Sequence, residues 1–372
     1  MPTLTGTDWR LVSDHETFHR VNFALGLHKN GHQVIVAGGN DYASADELTS
    51  VVSFDVKTST LTSLPNLPKK SWSCSGAILH EYFYVLNHYG FVYRLKMDAS
   101  QSKESDNQGW EEVSPYLSNV LGSALIADDK NLYIMGGRTS KLNMDVPCQK
   151  YDPKENKWTN LEPMKTPRFR HVAARVNNRI YIIGGTGASR NPLSSVEMFD
   201  ISSQSWSSMK IPDLPIVPKE DSKSRFSMNC ASADVFNNRY IFITGGRKRK
   251  PQKDTECSYC FILDTYTHEW IETDVLLKTP RSCHGCTFIE DTKLCVIGGK
   301  GPNSFQAIDR KLMLPNWHII KHFLLTRNLL DKGILASDDR FGYNINNSND
   351  IVVNLLIHLN LDMFRHVMTF LI

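Results

Sequence analysis

Short runs of β-branched and aromatic residues recur along the chain, each closed by a break. Gln33–Ala37, Leu132–Met135, 180–183, Tyr240–Thr244 and 294–297 are four or five residues of nearly unbroken apolar character. Runs of that length predict strands buried on both faces, whereas an amphipathic helix would space its apolar positions by three and four. Each run ends on a glycine pair: Gly38-Gly39, Gly136-Gly137, Gly184-Gly185, Gly245-Gly246 and Gly298-Gly299. Successive first glycines stand 98, 48, 61 and 53 residues apart. The first gap is twice 49, so a copy without its glycines is expected near residue 86. There Tyr82–Leu86 supplies the strand and Asn87 stands in the glycine position. Asparagine can still enter the left-handed backbone region a glycine would use, at some cost. Six copies result, with a mean period of 52 residues.

Downstream of each pair a second run ends in an apolar residue and Asp: Phe54-Asp55, Tyr151-Asp152, Phe199-Asp200, Leu263-Asp264 and Ile308-Asp309. Six residues beyond the Asp stand Trp158, Trp206 and Trp270, with Leu61 in the first copy and Trp110 displaced by a polar insertion in the second. A small, apolar strand precedes each pair, as in 171–174 and 285–288. Four short strands repeating near 50 residues predict a propeller blade, which buries both faces only by stacking on its neighbours in a ring. The paired glycines leave room where blades press together, and the tryptophans fill space between them.

These landmarks closely resemble the kelch repeat, over residues 8–317, with copies three to six matching at nearly every position. The resemblance implies an all-β, six-bladed kelch propeller of four-stranded blades over 1–317, followed by an atypical extension over 318–372. Two segments compete to close the ring. Trp317 keeps the tryptophan period, but Pro315 suits a strand interior poorly, so closure is expected from the N-terminal strand at 8–12 that carries Trp9. In the extension, apolar spacing over 318–332 predicts an amphipathic helix. The apolar stretch 351–372 is interrupted by Asn354, His358, Asn360, Asp362, Arg365 and His366, which suits packing or partner binding better than a membrane.

Composition sharpens this. The chain has 372 residues, 41% hydrophobic and 22% charged, enough to bury a core. Length alone suggests two or three domains, but the period merges about 310 residues into one ring. No run of 18 apolar residues occurs and the N-terminus carries no secretory pattern, so no membrane segment or leader is expected. Eight cysteines then read as reduced thiols in the cytoplasm, with the nucleus also open.

The chemistry-bearing candidates fit the repeat better than a reaction. Cys257-x-x-Cys260 and Cys283-x-x-Cys286 have near zinc-ribbon spacing. They fall on two extended strands, where residues three apart point to opposite faces, so no metal site is expected. Cys260, Asp264 and His268 are spaced by fours, resembling the iron-holding Glu-x3-Asp-x3-His of plant specifier propellers, but with Cys in the first place and an ordinary repeat landmark in the second. His171 and His284 share the slot Arg-x-x-His after Pro167 and Pro280, and are expected to be satisfied structural residues. No nucleophile, base and orienting group can be assembled, nor the two Tyr and two His that copper chemistry of the galactose oxidase kind would need. The chain is therefore expected to be no enzyme and to hold no cofactor.

Net charge is only +3, from 42 basic and 39 acidic residues, which argues against nucleic acid as a partner. The distribution is uneven. Loops that join strands two and three, or one blade to the next, share one face, the face with which kelch proteins capture peptides. Those loops carry 20 basic and 9 acidic residues, a net charge of +11, leaving −8 for the remainder. The expected partner-binding residues are Lys69, Lys70, Arg138, Arg168, Arg170, Arg225, Arg247, Lys278 and Arg281. Arginines around a shallow mouth can grip carboxylates or phosphates with paired hydrogen bonds. The run Arg247-Lys248-Arg249-Lys250 also fits a nuclear-import signal, and solvated basic loops are the plain alternative. The expected function is a protein-interaction module for an acidic partner, by analogy the receptor part of a ubiquitin ligase with cullin machinery on a separate adaptor. No BTB, F-box or elongin-binding pattern is recognisable in the extension. The alternatives are a sugar mutarotase using Arg168, His171, Arg281 and His284 in a central pocket, and an actin scaffold, which no residue specifies.

Overall fold

The structure, a computed structural model, describes residues 10–13, 15–97, 109–113, 120–139, 141, 143–144, 146–215, 225–249, 255–271, 276–290, 293–300 and 305–309. Trp9, Trp317 and the expected domain boundary and helix at 318–332 lie outside them. Among the described residues there is no α-helix, and none long and apolar enough to cross a membrane.

The strands form an antiparallel propeller within a unit spanning Met1–Ile308. Five sheets are four-stranded blades: Ala24–Leu27 to Thr60–Leu64, Ser75–Leu79 to Trp110–Glu112, Ala124–Ala127 to Lys157–Asn160, Val172–Val176 to Ser205–Trp206, and a composite one. The composite blade takes Gly285–Ile289, Lys293–Ile297 and Phe305–Asp309 from the last copy and its outer strand, Arg10–Ser13, from the N-terminus. The expectation of six four-stranded blades is corrected at copy five. Its four strands, from Ser232–Phe236 to Glu269–Ile271, are part of a seven-stranded sheet. The cause is its third strand, Thr255–Asp264, ten residues long where the others have four or five. The surplus half pairs with Arg247–Arg249 and Leu276–Arg281, and the former adds Arg225–Asn229.

Burial follows position in the blade. The second strand is covered by strands on both sides and by neighbouring blades on both faces, so every residue of Leu132–Met135 and Tyr240–Thr244 is buried. The outer strand Lys157–Asn160 keeps only Trp158 partly covered. Among the described residues, each of five hydrophobic clusters draws on two adjacent copies. One joins Val172, Tyr181 and Met198 of copy four to Ile241, Ile243 and Phe261 of copy five. Another joins Ile289, Cys295 and Ile297 of the last copy to Val34, Val36 and Phe54 of the first. No blade has a core of its own, which is why the ring must close.

The repeat landmarks have distinct tasks. Asp55, Asp152, Asp200 and Asp128 each accept from the backbone N–H groups two and three residues on, capping the turn between strands. The tryptophans staple the ring's outer edge. Trp110, Trp206 and Trp270 donate their indole N–H to the carbonyls of Pro65, Glu162 and Pro212 in the preceding copy, at 2.7, 2.9 and 3.0 Å.

Candidate interaction face

The glycine pairs act between copies. A Cβ on Gly136 would stand 2.5 Å from Met164 Cε and 2.6 Å from Arg168 O, and one on Gly245 would stand 2.5 Å from Arg281 O and 2.6 Å from His284 Cε1. The first glycine thus leaves space for the Arg-x-x-His loop of the next copy, and the second anchors it. Gly39, Gly137, Gly246 and Gly299 donate N–H to the carbonyls of Ser71, Arg168, Arg281 and Arg20, at 2.8–2.9 Å. The last of these joins copy six to copy one.

The side chains of those arginines turn inward. Arg168 and Arg281 have 0% of their surface exposed and Arg20 has 4%. Each donates to the carbonyl of its own copy's first glycine: Arg20 to Gly38, Arg168 to Gly184, Arg281 to Gly298. Arg168 also bonds Ser195 O, Ser195 Oγ and Glu197 Oε1, the last at 2.6 Å. Arg168 and Arg281 are therefore corrected from partner-binding to structural residues: five donors in a planar fork gather loop carbonyls that would otherwise be buried without partners. Copy two lacks both the arginine and the glycine. Ser71 and Asn87, both with 0% exposure, take their places, and the Asn87 amide donates to Ser71 Oγ at 3.3 Å. Asn87 does not use the left-handed region open to it; instead its Oδ1 accepts from Tyr89 and Phe91 N–H, and Gly90 takes the positive φ.

Two residues after the Arg position, each copy has a left-handed residue: Asn22, Ser73, Gly122, Arg170, Cys230 and Cys283, with φ between 52° and 68°. These line one central cavity of about 490 Å³, together with the innermost strands. Backbone bonds run round them from copy to copy. Asn22 N donates to Cys283 O, Cys283 N to Cys230 O, Cys230 N to Arg170 O, and Arg170 N to Gly122 O, at 2.7–3.2 Å.

Where this ring passes from copy three to copy four, cations gather. The guanidiniums of Arg138 and Arg170 lie 5.0 and 5.8 Å from the centre of the buried Phe169 ring. Both are half-buried, and neither is ion-paired with a carboxylate among the described residues. Arg138 has only Thr139 O, at 3.2 Å, while its Nε is buried with no partner among them. Partial burial, then the charges of Arg170 and Arg190, push the Arg138 pKa down. Uncompensated guanidiniums on an aromatic face make a seat for an anion.

The remaining expected residues are dispersed. Lys69, Lys70 and Lys278 are exposed, with Lys69 Nζ 3.6 Å above the Phe91 ring. Arg247 is held by Ser282 Oγ at 3.2 Å and faces Glu256 at 3.7 Å. The side chain of Arg225 lies outside the described residues. Sequence reasoning missed Phe169, Arg190 and Cys230. Phe169 carried a signal, standing between two arginines, and Cys230 shares the repeat slot of Cys283.

The histidines and cysteines belong to the walls. His171 and His284 line the cavity with their rings more than nine-tenths buried, and burial, then the neighbouring Arg168 or Arg281, pushes each pKa down to about 3. His284 Nε2 shares a hydrogen bond with Thr244 Oγ1 at 2.9 Å. His171 packs against Gly136 and Gly185, and among the described residues neither of its ring nitrogens nor His284 Nδ1 has a hydrogen-bond partner, so only His284 Nε2 is satisfied. Asp264 is committed to Arg239, at 2.9 and 2.5 Å, and His268 to Tyr181 Oη, at 3.4 Å. Among the described residues no three His, Cys, Asp or Glu side chains converge.

A ring of antiparallel blades knit by paired glycines and outer-edge tryptophans defines a kelch-type β-propeller. The model of the KLHDC2/KLHL20/DRC7 Kelch-repeats domain matches residues 92–299, and the chain belongs to this family. It is 24% identical to Kelch-like protein 26 of Danio rerio over 276 residues, 72% of this chain and 42% of that protein. It is 24% identical to Kelch-like protein 25 of Xenopus tropicalis over 281 residues, 73% and 43% of the two chains. Human Kelch repeat and BTB domain-containing protein 12 is 31% identical over 122 residues, 28% of this chain and 19% of that protein. The chain thus spans less than half the length of these curated relatives.

Proposed function

We propose that the chain is a non-enzymatic interaction module that binds an acidic group of a partner protein at the mouth of its central cavity. The observation that carries this reading is the Arg138–Phe169–Arg170 cluster, two half-buried guanidiniums on one ring with no carboxylate among the described residues to balance them. The exposed Lys69, Lys70 and Lys278 add positive potential that steers an acidic segment toward the mouth. Of the four side chains a mutarotase reading would need, Arg168 and Arg281 are fully buried in contacts between copies and do not line the cavity that His171 and His284 face, which favours the binding reading. The BTB domain named in some relatives fits a further step, in which this propeller is the receptor part of a ubiquitin ligase.

Titration of the purified chain with peptides rich in Asp, Glu or phosphoserine, against neutral peptides of equal length, tests the site. A charge-assisted hydrogen bond contributes about 1.5–3 kcal/mol, so R138E/R170E is expected to weaken acidic peptides by roughly ten- to a hundredfold. Equal binding of neutral peptides, or unchanged binding by the double variant, would remove the site. Affinity capture with both proteins then reads the ligase step: cullin components should accompany the wild type.

A further inference from the structure

Two neighbouring copies carry cysteine at the same left-handed position of the cavity mouth. Cys230 and Cys283 are 53 residues apart in sequence and are brought together only by the ring. Their backbones are bonded directly, Cys283 N to Cys230 O at 2.8 Å, and their φ angles are 58° and 56°. Equal conformations at equivalent positions project the two Cβ atoms in the same sense. A single backbone hydrogen bond of this kind holds Cα atoms about 5–6 Å apart, within the span a disulfide bridges. The Cys230 side chain is also the largest influence on the Cys283 thiol, ahead of burial, in holding its pKa up. Both line the cavity, and Cys283 keeps part of its surface exposed. The other thiol pairs suggested by spacing differ from this one: Cys257, Cys260 and Cys286 are buried in strands.

We propose that Cys230 and Cys283 form a vicinal dithiol that a small disulfide of the glutathione type oxidises to a disulfide bridging copies five and six at the cavity mouth. The more exposed Cys283 attacks first as its thiolate. One sulfur–sulfur bond of the oxidant breaks, a mixed disulfide forms at Cys283, and the first glutathione thiolate leaves. The Cys230 thiolate then attacks the Cys283 sulfur, forming the bridge and expelling the second glutathione. Two thiol protons are released and taken up by the departing thiolates. Two electrons pass to the oxidant, which ends as two thiols.

The neighbouring Cys230 side chain, then burial, holds the Cys283 thiol well above the usual range, with Arg247 and Arg170 pulling the other way. Few thiolates therefore exist at neutral pH, and the exchange is slow rather than instantaneous. Oxidation pins the loop that opens copy six to the loop that opens copy five, one position along the ring from Arg170.

The test is peptide mapping of the full chain. Protein incubated with glutathione disulfide is alkylated, digested without reductant and read by mass spectrometry. The expected result is a joined peptide pair containing Cys230 and Cys283, short of two hydrogens, that dithiothreitol separates. C230S should abolish the joined pair and leave a stable glutathione adduct on the more exposed Cys283, and C283S should abolish the joined pair. In the wild type the bridge should raise the melting temperature, and dithiothreitol should reverse the rise. Separate glutathione adducts on both cysteines of the folded wild type, or both thiols fully alkylated after prolonged exposure to the oxidant, would overturn the proposal without recourse to any variant.

Discussion

Arg168 separates a scaffold residue from a ligand residue, because the two roles predict opposite results for Arg168→Ala. In the structure its guanidinium is fully buried and serves Gly184 O, Ser195 O, Ser195 Oγ and Glu197 Oε1, while its Nε bonds Thr166 O at 3.2 Å. Truncation would leave three backbone carbonyls, the Ser195 hydroxyl and a carboxylate with 11% side-chain exposure facing a void. Breaking a buried ion pair by removing one partner costs about 3–5 kcal/mol. The orphaned carbonyls overlap with that figure rather than adding to it, since Glu197 also accepts from the N–H groups of Lys165 and Thr166 and keeps part of its solvation there. At roughly 2.1 cal/mol/K of unfolding entropy per residue, about 300 residues lose 5–8 °C of melting temperature for that cost. Thermal unfolding by circular dichroism reads it. Arg168→Ala combined with Glu197→Gln should recover part of the loss, since the uncompensated charge is then gone. An Arg168→Ala protein that melts like the wild type while its acidic-peptide binding disappears would refute the scaffold role, because the guanidinium would then be serving a ligand rather than the loop.

Two further outcomes follow from the same contacts. His171 and His284 are held near pKa 3 in the fold against 6.5 unfolded, so below pH 6.5 the unfolded chain binds protons that the folded chain does not, and stability falls as pH drops from 6.5 toward 3. Each should cost about 2 kcal/mol at pH 5; H171Q/H284Q should flatten the decline in melting temperature between pH 7 and pH 5, and an unchanged decline would refute the assignment. Removing residues 1–13 takes the outer strand from the closing blade, where Arg10, Leu11 and Ser13 pair with Ala307, Gln306 and Phe305. At about 1 kcal/mol net per backbone hydrogen bond the loss is roughly 2–4 kcal/mol, and a truncated protein with the melt of the full chain would show that this strand does not close the ring.

How far the residues themselves revealed this molecule depends on the range of the interaction involved. The blades were legible because strand burial and glycine-pair spacing are local, periodic quantities. Gly136 and Gly245 signal a close approach wherever their partners lie, and Asp152 and Asp200 cap turns within three residues of themselves. Even the copy without glycines could be found from Tyr82–Leu86, although the way Asn87 and Ser71 replace a glycine and an arginine could not. The seven-stranded sheet around Thr255–Asp264 was hidden, because pairing partners of the surplus strand half are set by three-dimensional proximity.

The site was legible only as a surplus of positive charge on one face. Which cations face a ligand depends on where each side chain turns, and that is decided by unpaired backbone carbonyls nearby. Arg168 and Arg170 differ by two positions, yet one gathers Gly184 and Ser195 carbonyls in the interior while the other stands over Phe169 at the cavity mouth. The meeting of Cys230 with Cys283 likewise needed the ring, since cyclic closure turns equal positions in successive copies into neighbours. Periodicity in the chain thus dictates a propeller of stacked blades, because each strand can bury its faces in only one arrangement. The choice between a structural and a presented arginine, and the pairing of distant thiols, belongs to tertiary packing, where hydrogen-bond demand and geometry act across copies that the chain order keeps apart.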